Sequence, residues 1–108
     1  DQVVPAGWLD QATKVSPEII ENEPLERHVY GLGFWCNDQA QIWPDLPRDS
    51  FAASGAGNQH IWVCPSLELI VVQSPGTYPS QGAFDSPGQV EYRRVMQDLL
   101  GRIIDSVL

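Results

Sequence analysis

The stretch from Gln59 to Gln73 constrains the fold more than any other. It has the pattern of two strands, Gln59 to Cys64 and Leu67 to Gln73, joined at Pro65-Ser66. Both are rich in β-branched residues or carry an aromatic, and Pro followed by Ser is turn chemistry. In the second strand Leu69, Ile70, Val71 and Val72 follow one another without a polar break, so both of its faces are apolar. Such a strand is expected at the centre of a sheet, covered on each side.

Further strands are available. Val29 to Cys36 alternates, with Tyr30, Leu32 and Phe34 on one face and Gly31, Gly33 and Trp35 on the other. Two glycines on one face let another part of the chain approach the backbone closely. Residues 37–49 hold Pro44, Pro47 and several polar side chains, and are expected to be a loop. A short strand follows at Phe51 to Ser54, turned by Gly55-Ala56-Gly57. Ser74 to Asp85 is a second loop, rich in Pro, Gly and Ser.

Two helices flank this region. Pro5 to Val15 places Trp8, Ala12 and Val15 on one face, and Pro17 stops it. Ser86-Pro87-Gly88-Gln89 gives an N-cap Ser, Pro at the first helical position and Gln three residues after the cap. Tyr92, Met96, Leu99, Leu100, Ile103 and Val107 then form an apolar stripe. Arg94, Asp98 and Arg102 pair along the exposed side, and Gly101 is expected to let the helix approach the sheet. The expected fold class is α+β: an antiparallel sheet of about four strands with a C-terminal helix packed on one face. Residues 1–28 form a helix and an acidic connector, 29–73 the strands and 86–107 the closing helix. Together they make one domain or the C-terminal part of a larger one.

With 14 acidic and six basic residues among 108, the net charge is −8. That balance works against nucleic acid and anionic membranes, whose binding depends on Lys and Arg. No apolar run approaches the roughly 20 residues that cross a bilayer, and no secretion signal opens the chain. Glu18, Glu21, Glu23 and Glu26 lack the spacing and the glycine of a calcium loop, so they are assigned to a solvated connector. The two cysteines allow one bridge or none. Cys36 and Cys64 end different strands, with a third strand between them, and are expected to stay unbonded because a bridge needs Cα atoms within about 7 Å.

No recognisable nucleophile with its base emerges. Ser-x-x-Lys is excluded, because the only lysine is Lys14 and position 11 is Gln. Gly-x-Ser-x-Gly is absent around Ser54. His28 and His60 remain as candidate bases, each without a recognisable context. Metal binding by His60 with Cys64 fails, since four residues along a strand span roughly 13 Å. No metal and no cofactor are expected. Phe51 to Gln59 is the remaining candidate: small residues at a strand end let a ligand touch the backbone, and an N–H there could stabilise an oxyanion. The alternative is a tight hairpin.

The order of these segments resembles the C-terminal portion of class C β-lactamase-like serine hydrolases, a superfamily that includes esterases, D-amino-acid peptidases and 6-aminohexanoate-dimer hydrolases. Tyr30-Gly31-Leu32-Gly33-Phe34-Trp35 is similar to that family's Tyr-Gly-x-Gly-Trp/Phe-Trp strand. Ala53-Ser54-Gly55 stands where the family has Lys/His-Thr/Ser-Gly. Pro65-Ser66-Leu67-Glu68-Leu69 is similar to its Pro-Ser-x-Asp/Glu-Leu run, and Val4 to Leu9 to an upstream helix start. Ala53 removes the cation that would hold a substrate carboxylate, which points towards the esterase and aminohexanoate branches.

The resemblance implies a pocket wall built from Ala53, Ser54, Gly55 and Gly57, with the Ala56 backbone N–H as half of an oxyanion hole. The substrate would be a small amide or ester. The nucleophile, its lysine and the tyrosine would come from a segment outside this sequence, leaving the chain inactive alone. A periplasmic or secreted location is implied as well. In the resembled fold a strand from the N-terminal part pairs with Leu67 to Gln73, so without it the open edge is expected to draw self-association or a companion chain. The other class of function is a non-catalytic binding or structural module on the same scaffold.

Overall fold

The computed structural model describes residues 2–74 and 84–108. Its centre is a four-stranded antiparallel meander in the order β1-β2-β3-β4: Trp35–Cys36, Phe51–Gly55, Gln59–Cys64 and Leu69–Gln73. Two short helices precede it, α1 (Ala6–Ala12) and α2 (Pro17–Asn22), and a long one follows, α3 (Pro87–Val107). The fold is therefore α+β, a four-stranded antiparallel sheet with a C-terminal helix. The loop expected over 74–85 lies for the most part outside the described residues.

Alternation divides the sheet into two unlike faces. On the inner face Ala52 pairs with Trp62, and Trp62 with Val71. These residues pack with Tyr92, Met96, Leu100 and Ile104 of α3 into one hydrophobic core. On the outer face Val63 pairs with Ile70 and Ile61 with Val72. Ile70 and Val72 are 64% and 69% exposed. The strand expected to be central and covered twice is thus the last in the sheet, and the described structure covers one of its faces. Its apolar pattern was real, but an uncovered apolar face has the same pattern in sequence as a covered one.

Three other expectations are corrected. Val29 to Cys36 is a tight hairpin and not one strand: the Gly31 amide donates to Phe34 O at 2.8 Å and the Cys36 amide to Val29 O at 2.8 Å. Gly33, at φ +101°, makes the reversal, and Tyr30 meets Trp35 ring edge to face at 5.0 Å. Gly31 has the predicted close neighbour, since a Cβ there would lie 2.3 Å from Lys14 O and 2.7 Å from Ala12 O. Second, the acidic connector contains α2, started by Pro17 at its first turn, and a 3-10 turn at Leu25–Arg27. Helix α1 ends at Ala12 by itself, and Trp8 is largely exposed, whereas Ala12 and Val15 are buried.

Third, α3 buries positions four apart, so Ile104 takes the place assigned to Ile103, and Leu99 and Val107 are exposed. Its Ser86 cap accepts from the Gln89 amide at 3.4 Å, as expected. Arg102 pairs with Asp98 at 3.0 Å, but Arg94 turns to Glu91 at 2.6 Å. Gly101 faces open space, with nothing near a built Cβ, so it has no close-packing role.

The loop 37–50 has no regular structure, yet it sends Ile42, Trp43 and Leu46 into the core. It can do so because the Asn37 side chain binds its backbone. The Asn37 amide nitrogen donates to Trp43 O at 3.0 Å, Leu46 O at 3.2 Å and Pro47 O at 3.0 Å. The Asn37 carbonyl oxygen accepts from the Trp43 amide at 3.0 Å. Asp45 and Gln97 exchange two bonds of 3.2 Å, joining the loop to α3.

The two glycines predict opposite outcomes. Gly101→Ala should stabilise the chain by up to about 1 kcal/mol, because a helix-interior glycine loses its entropic cost and meets no neighbour. Gly31→Ala should cost more than that, because its Cβ overlaps two backbone carbonyls. Urea midpoints measured on both variants check the pair, and equal shifts of the same sign would refute it.

Candidate functional site

The β2–β3 hairpin positions the site. Its turn uses two residues of positive φ, Gly57 at 80° and Asn58 at 60°, types that tolerate the left-handed region. From this turn the antiparallel register sets Gly55 opposite Gln59 and Ser54 opposite His60. Ser54 and His60 thus meet on the inner face, with Ser54 Oγ 2.6 Å from His60 Nδ1. The imidazole stacks on Tyr92 of α3, centroids 5.5 Å apart and planes at 21°. The Tyr92 hydroxyl donates to Asn58 O at 3.2 Å, tying helix to turn.

Between this hairpin, the sheet and α3 lies a cavity of about 270 Å³. Its lining includes the aromatic side chains of Trp35, Trp43, Trp62, Phe84 and Tyr92. Trp35 and Phe84 are stacked, 5.5 Å apart and within 6° of parallel. The Arg93 guanidinium lies 3.7 Å over the Phe84 ring. Burial holds the Arg93 pKa below the ordinary guanidinium value, opposed by the charge of Asp85.

Ser54, Gly55, Ala56 and Gly57 all line this cavity. Ala53 does not; alternation turns it to the other face, paired with Ile61. Of the two candidate bases, His60 is at the cavity and His28 is elsewhere, buried, with Nε2 donating to Glu23 O at 2.9 Å. The Ser54–His60 contact has the reach of a nucleophile and base, but it uses Nδ1. His60 Nε2 has no hydrogen-bond partner among the described residues, so no third group orients the ring as a triad requires.

Two further side chains in the cavity wall were not anticipated. Trp62 is 1% exposed and Asn58 8% exposed, yet Trp62 Nε1 and Asn58 Nδ2 have no partner among the described residues. A buried donor left unpaired costs about 1–3 kcal/mol, and natural proteins hold few of them. Asn58 carried a local signal in the sequence, since Gly-Asn before a strand marks a turn with positive φ. Trp62 carried none beyond its large side chain.

The cysteines are free, as expected, and both are buried. Burial pushes the Cys36 thiol up to about 12, and raises the Cys64 thiol in the same way. Neither is a thiolate nucleophile under ordinary conditions. Among the described residues no group of three or more His, Cys, Asp or Glu side chains could hold a metal ion. No family model matches this chain, and no curated protein or solved structure does either.

Burial also lowers the His60 pKa below the usual histidine value of 6.5. The unfolded chain then binds the proton more readily than the folded one. The corresponding stability is complete above pH 6.5 or so and is lost as pH falls below it. Urea unfolding at pH 8 and pH 5 should show a larger acid loss for the wild type than for His60→Gln. An identical loss in both would remove His60 as the cause.

Proposed function

We propose that this chain forms a substrate-binding wall of a β-lactamase-like serine hydrolase acting on a small amide or ester. What supports the reading is the hairpin turn at the cavity: Ser54, Gly55, Ala56 and Gly57 line one space beside the aromatic wall. In this proposal the Ala56 N–H serves as an oxyanion donor, and Ser54, Gly55 and Gly57 flank the substrate. Ala53 then acts through the backbone of β2 and not through its side chain, which belongs to the opposite face. Ser-x-x-Lys is absent from the sequence, so the nucleophile would come from a further segment of the fold.

A second reading, a non-catalytic binding module, is favoured by the incomplete Ser54–His60 pair and the unpaired donors in the cavity. Hydrolysis of p-nitrophenyl acetate separates the two. The chain by itself should show no turnover, and the product of the full natural reading frame, bearing Ser-x-x-Lys upstream, should be active. A reading frame without that motif, or a full-length product without esterase or amidase activity, would leave the binding module.

Partners follow from the sheet. No helix among the described residues is long and apolar enough to cross a membrane. The outer face, with Ile61, Ile70 and Val72 exposed, would be covered by the remainder of the hydrolase fold or, in its absence, by a second copy of the chain. Sedimentation at tens of micromolar should then show self-association that Val72→Lys weakens. A monomeric wild type would exclude the second copy.

A further inference from the structure

We propose that the cavity between the sheet and α3 binds a small monocyclic aromatic carboxylate, held by donors from Trp62, Asn58 and Arg93. The proposal shares its cavity with the hydrolase reading but needs no nucleophile, so different measurements decide the two.

The argument starts from what the cavity lacks. Trp62 Nε1 can only donate, and so can Asn58 Nδ2. Both belong to side chains more than nine-tenths buried, and both lack a partner among the described residues. His60 adds a third donor when the Ser54 hydroxyl donates to Nδ1, because the ring proton of the neutral imidazole then sits on the unpaired Nε2. The complementary ligand presents acceptors. Arg93, from α3, places a cation in the same lining, which selects an acceptor with negative charge.

The rest of the wall selects a ring. Trp35 and Phe84 form a parallel stack, and Trp43 and Tyr92 continue the apolar surface. The volume of about 270 Å³ sits near the lower end of small-molecule pockets, which suits one ring and its carboxylate. Water is the competing occupant, because the same donors can bond it, and the carboxylate would have to displace it. An aromatic cage in an acidic protein could also attract an organic cation. That occupant would leave the donors unpaired, and Arg93 already covers the Phe84 face that it would use.

Benzoate, benzyl alcohol and benzamidine test the proposal on the intact chain by calorimetry or tryptophan fluorescence. Benzoate should bind at least tenfold more tightly than benzyl alcohol, and benzamidine should not bind. Trp62→Phe keeps the aromatic wall and removes the N–H. Asn58→Asp keeps a residue that tolerates positive φ and exchanges a donor for a carboxylate. Each should weaken benzoate by about tenfold or more, the scale of one hydrogen bond to a charged group. Circular dichroism establishes that each variant is folded, and should Trp62→Phe fail to fold, Asn58→Asp carries the test. Equal benzoate affinity in wild type and folded variant, preference for benzamidine, or no benzoate binding by the folded wild type would each overturn it. Loss of the hydrolase reading would leave the benzoate affinity unchanged.

Discussion

The architecture depends on one buried carboxamide. Asn37 is completely shielded from solvent, and its side chain bonds three carbonyls and one amide of a loop that has no ladder of its own. A buried loop is costly because its backbone polar groups must find partners away from water. Here a single side chain bonds four of the backbone groups at residues 43–47. The far end is closed by Asp49, which accepts from the Ser66 amide at 2.6 Å and its hydroxyl at 2.9 Å. With both ends held, Trp43 can enter the core and also form part of the cavity wall. Loop, core and cavity are one mechanical unit.

Much of the fold was legible because short strands and a capped helix have local causes. β3 spans Gln59–Cys64 as its β-branched and aromatic residues before Pro65-Ser66 indicated, and Ser86-Pro87 starts α3 as capping chemistry requires. Val29 to Cys36 misled because glycine alternation suits a close-packed strand and a reversal equally, and the choice rests on the φ of Gly33. The helical stripe was off by one residue because Ile103 and Ile104 are both isoleucine, leaving the docking angle to decide. Burial of β4 on one face alone is a matter of which layers are present, which no residue in β4 encodes.

The site was legible in part for a similar reason. The small residues of the hairpin drew attention to residues 53–57, and register alone makes Ser54 the neighbour of His60. Counting outward from the turn would have found that pair without coordinates. The unpaired Trp62 and Asn58 nitrogens could not be found that way, because an indole or amide in a core is normally satisfied by a partner distant in sequence. A missing partner is a property of the packed state.

The meander order has a kinetic consequence. Every strand pairs with its neighbour in sequence, β1 with β2, β2 with β3 and β3 with β4. Two of those closures cross only a few residues, and the third spans the loop that Asn37 organises. Short closures lose little chain entropy and form early, whereas distant contacts come later. The sheet can therefore assemble as a local event, with the docking of α3 as the slower step that excludes water from its inner face. Until the helix arrives, Trp62 and His60 lie on an open surface, and their nitrogens are hydrated. In that order of assembly, the unpaired nitrogens are cut off from water only when the helix docks.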